Sequence, residues 1–226
     1  MSIELDIVVW QTLSGHHADF SIGNERARRY DHGFTPIAGF QNQKKPDLDE
    51  LQRYCEPGEN LFVAGWSGDP PTSWNINFEV IMNRMVWAGP PPRYAAGVEA
   101  AIPLQMHHAE QALELATLTN PGPFGIRTIE LGSYVGIFEG DKLIAMAGER
   151  LHAGNFKEVS GICTHPDYRG NGLAKKLTQK VIQQQMSRGE TPFLHVMQTN
   201  REALELYTQM GFELYCESFL RTISLN

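Results

Sequence analysis

The run from Gly161 to Leu177, GICTHPDYRGNGLAKKL, constrains the fold of this chain more than any other stretch. Ile162, Cys163 and Thr164 read as the end of a strand, and His165-Pro166-Asp167-Tyr168 as a polar turn. Arg169-Gly170-Asn171-Gly172-Leu173-Ala174 then opens an amphipathic helix. A strand, a glycine-bearing loop and a helix start, in that order, make an anion site. The first helical N–H groups lack acceptors, and the positive end of the helix dipole points the same way. Glycines at 170 and 172 let the backbone approach a phosphate that a Cβ would hold off. Taken alone, a G-x-G here also fits an ordinary turn between a strand and a helix.

The elements around this loop follow a regular order from about Gly97. Ala100 to Leu104 is a candidate strand. Met106 to Leu118 is a helix with Ala109, Ala112, Leu113 and Ala116 on one face, and Asn120-Pro121-Gly122-Pro123 stops it. Tyr134 to Glu139 and Leu143 to Leu151 form a hairpin about Gly140-Asp141. Phe156 to Thr164 is the next strand. The helix from about Gly172 to Arg188 buries Leu173, Ala174, Leu177 and Val181 and ends at Gly189. A strand over Pro192 to Gln198 and a helix from Asn200 to Met210, capped by Asn200 and stopped by Gly211, lead to closing strands over Phe212 to Ser224.

The loop matches Q/R-x-x-G-x-G/A at Arg169, Gly172 and Ala174, and so resembles the signature of the GNAT superfamily of acyl-CoA-dependent N-acyltransferases. A second block, Asn200 to Phe212, is similar to that family's N-x-x-A-x-x-L-Y-x-x-x-G-F. The order of elements over residues 97–226 is also the family's order. The strings PGPFGIRTIELGSYVGI, AMAGER and ETPFLHV resemble a bacterial subgroup related to the C-terminal domain of glycine N-acyltransferase-like proteins. The resemblance implies an α/β (α+β) GNAT fold: a mixed central sheet with a V-shaped splay, flanked by helices, plus a smaller α/β N-terminal half. Residues 1–95 would form that half, with a degenerate acyltransferase-like domain as one reading of it, and 97–226 the N-acetyltransferase domain.

The resemblance further implies acetyl-CoA as co-substrate. Backbone N–H groups over Arg169, Gly170, Asn171, Gly172, Leu173 and Ala174 would hold the pyrophosphate of coenzyme A, while Ile162, Cys163 and Thr164 pair with the pantetheine amides. Asn200 either bonds the pantetheine arm or only caps its helix. Tyr207 is the implied proton donor to the departing thiolate, against the plainer reading of a core tyrosine. An N–H near Ile162 would stabilise the carbonyl oxygen. The base is least defined. Glu158 and Glu149 lie on neighbouring central strands, and strict alternation along one strand sets Glu158, Ser160 and Ile162 on one face, which favours Glu158. His195 titrates in a useful range but sits in an apolar run that suits a bonded core histidine. Glu130 would lie near the substrate lip.

Composition narrows the partners. A net charge of −7 argues against a nucleic-acid partner. No apolar run is long enough to span a membrane. The three cysteines, Cys55, Cys163 and Cys216, lack C-x-x-C spacing, and the start MSIELDIVVWQ lacks a basic segment before a long apolar core, so a reduced cytoplasmic setting is expected. The adjacent pairs His16-His17 and His107-His108 point apart and carry no metal expectation.

The first 95 residues say less. A short helix from Ile7 to Gly15, a strand over Ala18 to Ile22, a helix from Leu48 to Tyr54 and strands over Leu61 to Trp66 and Asn75 to Trp87 are expected. The prolines at 90–92 mark the boundary. No second copy of the arginine loop occurs, since Arg93-Tyr94-Ala95-Ala96-Gly97 has the wrong spacing. The favoured function is acetyl transfer from acetyl-CoA to a primary amine of a small molecule, amino acid or peptide, by direct attack in a ternary complex. The alternatives are an enzyme using a longer acyl-CoA and a non-catalytic acyl-CoA-binding module. Self-association as a homodimer is left open.

Overall fold

A computed structural model describes residues 3–92 and 100–226; the boundary at 95–97 and the string at 93–97 lie outside the described residues. The first part runs α1 (Ile3–Asp6), α2 (Val8–Ser14), β1 (Ser21–Gly23), β2 (Ala27–Tyr30), β3 (Ile37–Phe40), α3 (Leu48–Leu51), β4 (Leu61–Ala64) and β5 (Trp74–Trp87). The second runs β6 (Ile102–Pro103), α4 (Ala109–Thr119), β7 (Tyr134–Glu139), β8 (Lys142–Ala153), β9 (Phe156–Thr164), α5 (Leu173–Ser187), β10 (Thr191–Met197), α6 (Arg201–Met210) and β11 (Phe212–Leu225).

All eleven strands join one sheet in the order β1-β2-β3-β4-β11-β5-β10-β9-β8-β7-β6. Two pairs are parallel, β3 with β4 and β9 with β10, and the others are antiparallel. Each half lends a strand across the middle: β5 lies between β10 and β11, and β11 lies between β4 and β5. The sheet is therefore continuous through both parts of the chain.

The elements from Tyr134 onward fall where the sequence pattern sets them. Asn200 Oδ1 accepts from the Ala203 N–H at 3.2 Å, and Gly211 takes φ +116° to end α6. A side-chain cap of this kind contributes about 1 kcal/mol. Earlier stretches differ. The strand expected over Ala18 to Ile22 is a 3-10 turn, Ala18–Phe20, followed by β1. The helix expected from Leu48 to Tyr54 is the four-residue α3 and a 3-10 turn. The strand at Ala100 to Leu104 shrinks to two residues. Strands β2 and β3 have no alternating signal, because Arg29 in β2 is buried against Glu59 and so looks like a surface residue in the sequence.

Helices α5 and α6 cover one face of the sheet, burying Val159, Leu177, Val181, Leu194, Tyr207 and Phe212 together. Each such side chain stabilises by about 1.5–3 kcal/mol when fully buried. The opposite face is covered by α4 beside β7 and β8, and by α2 from the first half, which packs Val8 and Leu13 near Leu151 and Phe193.

Candidate active site

Strands β9 and β10 pair only from Phe156 to Glu158 and from Thr191 to Phe193. Beyond that both continue, to Thr164 and Met197, without pairing each other. The result is a V-shaped opening in the sheet whose edges carry free backbone groups. On the other side of β9 the partners of β8 skip from Gly148↔Ser160 to Met146↔Cys163, so Gly161 and Ile162 oppose Ala147 alone. Gly161 takes φ +60° in this bulge. A bulge leaves one residue outside the ladder and re-aims the strand. It also overturns the strict alternation: Ile162 packs against the same cluster as Val159, not on the Glu158 face.

The loop after β9 sits at the mouth of this opening. Gly170 and Gly172 take φ +80° and +70°, a region that favours glycine, and open space lies where a Cβ would be. No side chain caps α5, so its first N–H groups are unfilled by the protein. The Arg169 N–H is spent on the Pro166 carbonyl at 3.3 Å, which leaves that residue its guanidinium to offer. Asn171 Nδ2 donates to the Tyr168 carbonyl at 3.0 Å and fixes the turn. Thr164 Oγ1 is buried with no hydrogen-bond partner among the described residues. An uncapped helix start, a glycine loop with room above it and an unsatisfied hydroxyl on the splayed edge fit a pyrophosphate followed by an amide-bearing arm. Cys163 points away toward α4, packed with Ala112 and Met146, so its backbone alone faces such a ligand.

Tyr207 is 8% exposed, in edge contact with Phe212. Burial, with the Cys163 thiol nearby, pushes its phenol up to about 12. It therefore stays protonated throughout the physiological range. A phenol so weakly acidic donates a hydrogen bond to a leaving sulfur more readily than it surrenders its proton.

The two expected carboxylates are both occupied. Glu158 is fully buried, and Arg150 grips both its oxygens at 2.9 Å. The Leu151 N–H adds a third bond at 3.2 Å. The Arg150 charge and these bonds outweigh burial and hold Glu158 well below the usual carboxylate range. His195 completes the group, with Nδ1 2.8 Å from Glu158 and Nε2 2.9 Å from Arg84 Nε. Arginine can only donate, so Nε2 carries the lone pair and Nδ1 carries the proton given to Glu158. The ring is thus neutral, in keeping with burial lowering its pKa. Glu149 is bonded to Arg188 and accepts from the Ser133 N–H at 3.2 Å. Both Glu158 oxygens are thus engaged by Arg150, His195 and the Leu151 N–H, and both Glu149 oxygens by Arg188 and the Ser133 N–H. Glu130 forms a bidentate pair with Arg127 at 2.9 Å. Among the described residues no group of three His, Cys, Asp or Glu side chains is placed to hold a metal ion. No helix among them is long and apolar enough to cross a membrane.

Arg84 and Arg150 carry no motif, and the sequence pattern passed over both. Each lies beside another polar residue, Asn83 before Arg84 in β5 and Glu149 before Arg150 in β8, so neither stands out along the chain.

An uncapped glycine loop at the start of α5, on a splayed parallel pair, is the geometry expected from the resemblance to acyl-CoA-dependent N-acyltransferases. Residues 134–220 match the model of the FR47-like protein family. A protein of Novosphingobium aromaticivorans assigned to the GNAT acetyltransferase family has a similar solved structure. It matches with a TM-score of 0.90 at 28% identity, over 100% of both chains. A GCN5-related N-acetyltransferase from Kribbella flavida shares the fold at a TM-score of 0.59 and 16% identity, over 96% of this chain and 95% of that one. A GNAT-family acetyltransferase from Colwellia psychrerythraea does so at 0.52 and 13%, over 99% and 98%. No curated protein sequence matches the chain. The fold and the full-length likeness are those of GNAT acetyltransferases, and with the match over residues 134–220 they support an acyltransferase.

Proposed function

We propose that this protein transfers an acetyl group from acetyl-CoA to a primary amine of a small molecule, amino acid or peptide, by direct attack in a ternary complex. The observation that carries the reading is the splay of β9 from β10, with the uncapped start of α5 at its mouth. Acetyl-CoA supplies an activated thioester. The N–H groups of Gly170 to Ala174 and the Arg169 guanidinium hold its pyrophosphate, and the edge of Ile162 to Thr164 receives the pantetheine amides. Asn200 uses its oxygen to cap α6 and keeps its amide N–H₂ for the same arm. The bulge at Gly161–Ile162 aims an N–H at the carbonyl oxygen, where charge builds as the amine attacks. Tyr207 donates a hydrogen bond to the sulfur as the carbon–sulfur bond breaks.

The proton leaving the amine goes to His195 Nε2. Glu158 acts as a positioning residue that fixes the ring, and Glu149 anchors Arg188 outside the chemistry. Uptake requires the Arg84–His195 bond to be exchanged. The similarity of several strings to glycine N-acyltransferase-like proteins supports a small, amino-acid-like acceptor and makes benzoyl- and longer acyl-CoA worth comparing. The test is release of free thiol from acetyl-CoA across a panel of amines. Saturable release with at least one amine is expected. Binding of coenzyme A without release from any amine or acyl-CoA would leave a binding module instead.

A further inference from the structure

A cavity of about 620 Å³ opens on the His195 face of the sheet, between the break of α1 from α2, the loop after β3 and strand β11. Its lining includes Asp6, Gln43, Lys44, Arg84, Cys216 and Glu217. Arg84 is the unusual member. It is 2% exposed, yet among the described residues no carboxylate lies within ion-pair distance of it. Its guanidinium is held by a neutral ring nitrogen, His195 Nε2, and by the backbone carbonyls of Leu5 at 2.5 Å and Asp6 at 3.5 Å. The other buried arginines differ: Arg29 pairs with Glu59, Arg150 with Glu158 and Arg221 with Glu79. A buried charge with no carboxylate in contact is costly, and this one lines a cavity large enough for a small ligand.

We infer that this cavity binds the acceptor and that Arg84 takes its carboxylate, so the substrates are amines that also carry a carboxylate. The inference rests on the acyltransferase reading and adds the acceptor's second functional group. His195, Arg84 and Cys216 stand in one row across β10, β5 and β11, so a ligand held by Arg84 lies beside the histidine at the splay. Asp6 Oδ1 accepts from Tyr215 at 2.7 Å and Glu217 Oε1 from Gln198 at 2.9 Å, so the cavity's acids have partners of their own and neither carboxylate contacts Arg84. The ligand's carboxylate offers Arg84 a charged partner in place of the imidazole nitrogen, which frees His195 Nε2 for the amine's proton. The first half of the chain thereby gains a role, since it supplies Arg84, the carbonyls that aim it and most of the cavity wall.

The test compares amino acids with their carboxamides as acceptors, by thiol release at saturating acetyl-CoA. The carboxamide has the less basic amine, so intrinsic reactivity runs against the expected preference. A charge-assisted pair contributes about 1.5–3 kcal/mol, so kcat/KM should favour the amino acid by roughly 10- to 100-fold. In Arg84→Gln that ratio should collapse toward one, and Arg84→Lys should restore part of it. A merely structural arginine would lower both rates together and leave the ratio unchanged. Thermal shift of the wild-type protein by N-acetyl amino acids against their carboxamides gives the same discrimination without any variant. Equal use of the two acceptors, or equal shifts by the two products, would overturn the inference. Absence of thiol release from every amine would instead overturn the acyltransferase reading, while a carboxylate-specific thermal shift would still uphold the site.

Discussion

The sheet contains two parallel strand pairs, and only the second leads into an uncapped helix start. In the first half β3 and β4 pair from Ile37 and Phe62, with β2 antiparallel on one flank and β11 on the other. In the second half β9 and β10 repeat the pattern, with β8 and β5 as flanks. The connections differ. Between β3 and β4 runs the four-residue α3, whose start is filled by its own protein: Asp47 Oδ1 accepts from the Glu50 N–H at 3.0 Å. Arg26 pairs with Asp47 and Glu50, and Leu48, Leu51 and Trp66 fill the space beyond the strands. Between β9 and β10 runs the 15-residue α5, uncapped, behind a glycine loop with open space above it. A negative side chain completes one helix start, and the other awaits a negative ligand. The two pairs share strand directions and differ in the loop and the helix terminus, which are the features the proposed acyl-CoA site rests on. This likeness of strand order supports the proposal that residues 1–95 are a degenerate acyltransferase-like half.

The comparison is broken most severely at the buried group beneath the splay. Glu158→Ala leaves Arg150 charged and unpaired, and a loss of about 3–5 kcal/mol is expected in urea denaturation. A loss below 1 kcal/mol would show that the pair does not hold β8 to β9. Tyr207→Phe removes one hydroxyl and should lower kcat on the order of 100-fold, with the affinity for coenzyme A kept. Unchanged turnover would return Tyr207 to the role of a core residue.

A smaller effect belongs to the first half. His17 is 4% exposed, and its pKa is lowered to about 3 by burial, with Lys157 adding to the effect. A depressed histidine contributes stability that is complete above its unfolded pKa of about 6.5 and is lost as the pH falls toward 3. Between pH 7 and 5 this amounts to about 2 kcal/mol, and His17→Gln should flatten that part of the stability profile. An identical slope in wild type and variant would exclude His17 as its source. Smallest is Asp47→Ala, which should cost about 1 kcal/mol and leave coenzyme A binding untouched. Weaker cofactor binding in that variant would mean that the two parallel pairs are coupled.

The legibility of these regions follows from the range of their contacts. The α5 loop is local: its strand, turn, glycines and helix are consecutive, so the sequence shows them together. Asn200 and Gly211 are likewise read within one helix. The polar group under the splay gathers Arg84, Arg150, Glu158 and His195 from four strands, and Arg84 comes from the other half of the chain. No pattern along the sequence brings β5 between β10 and β11. The bulge at Gly161 hid in the same way, because alternation assumes an unbroken ladder, and its single residue turned Ile162 off the Glu158 face. Glu158 and Glu149 were visible as strand carboxylates, but the arginines that engage them were not.

The most direct test is a calorimetric titration of acetyl-CoA into the wild-type chain and into Gly172→Asp, which gives α5 the acidic start that Asp47 gives α3. The wild type should bind one equivalent saturably. The variant should bind at least ~10-fold more weakly, since one unit of charge repulsion at the pyrophosphate site is expected to cost ~1.4 kcal/mol or more. No binding to the wild type, or equal affinity in Gly172→Asp, would contradict the assignment of the α5 start as the cofactor site.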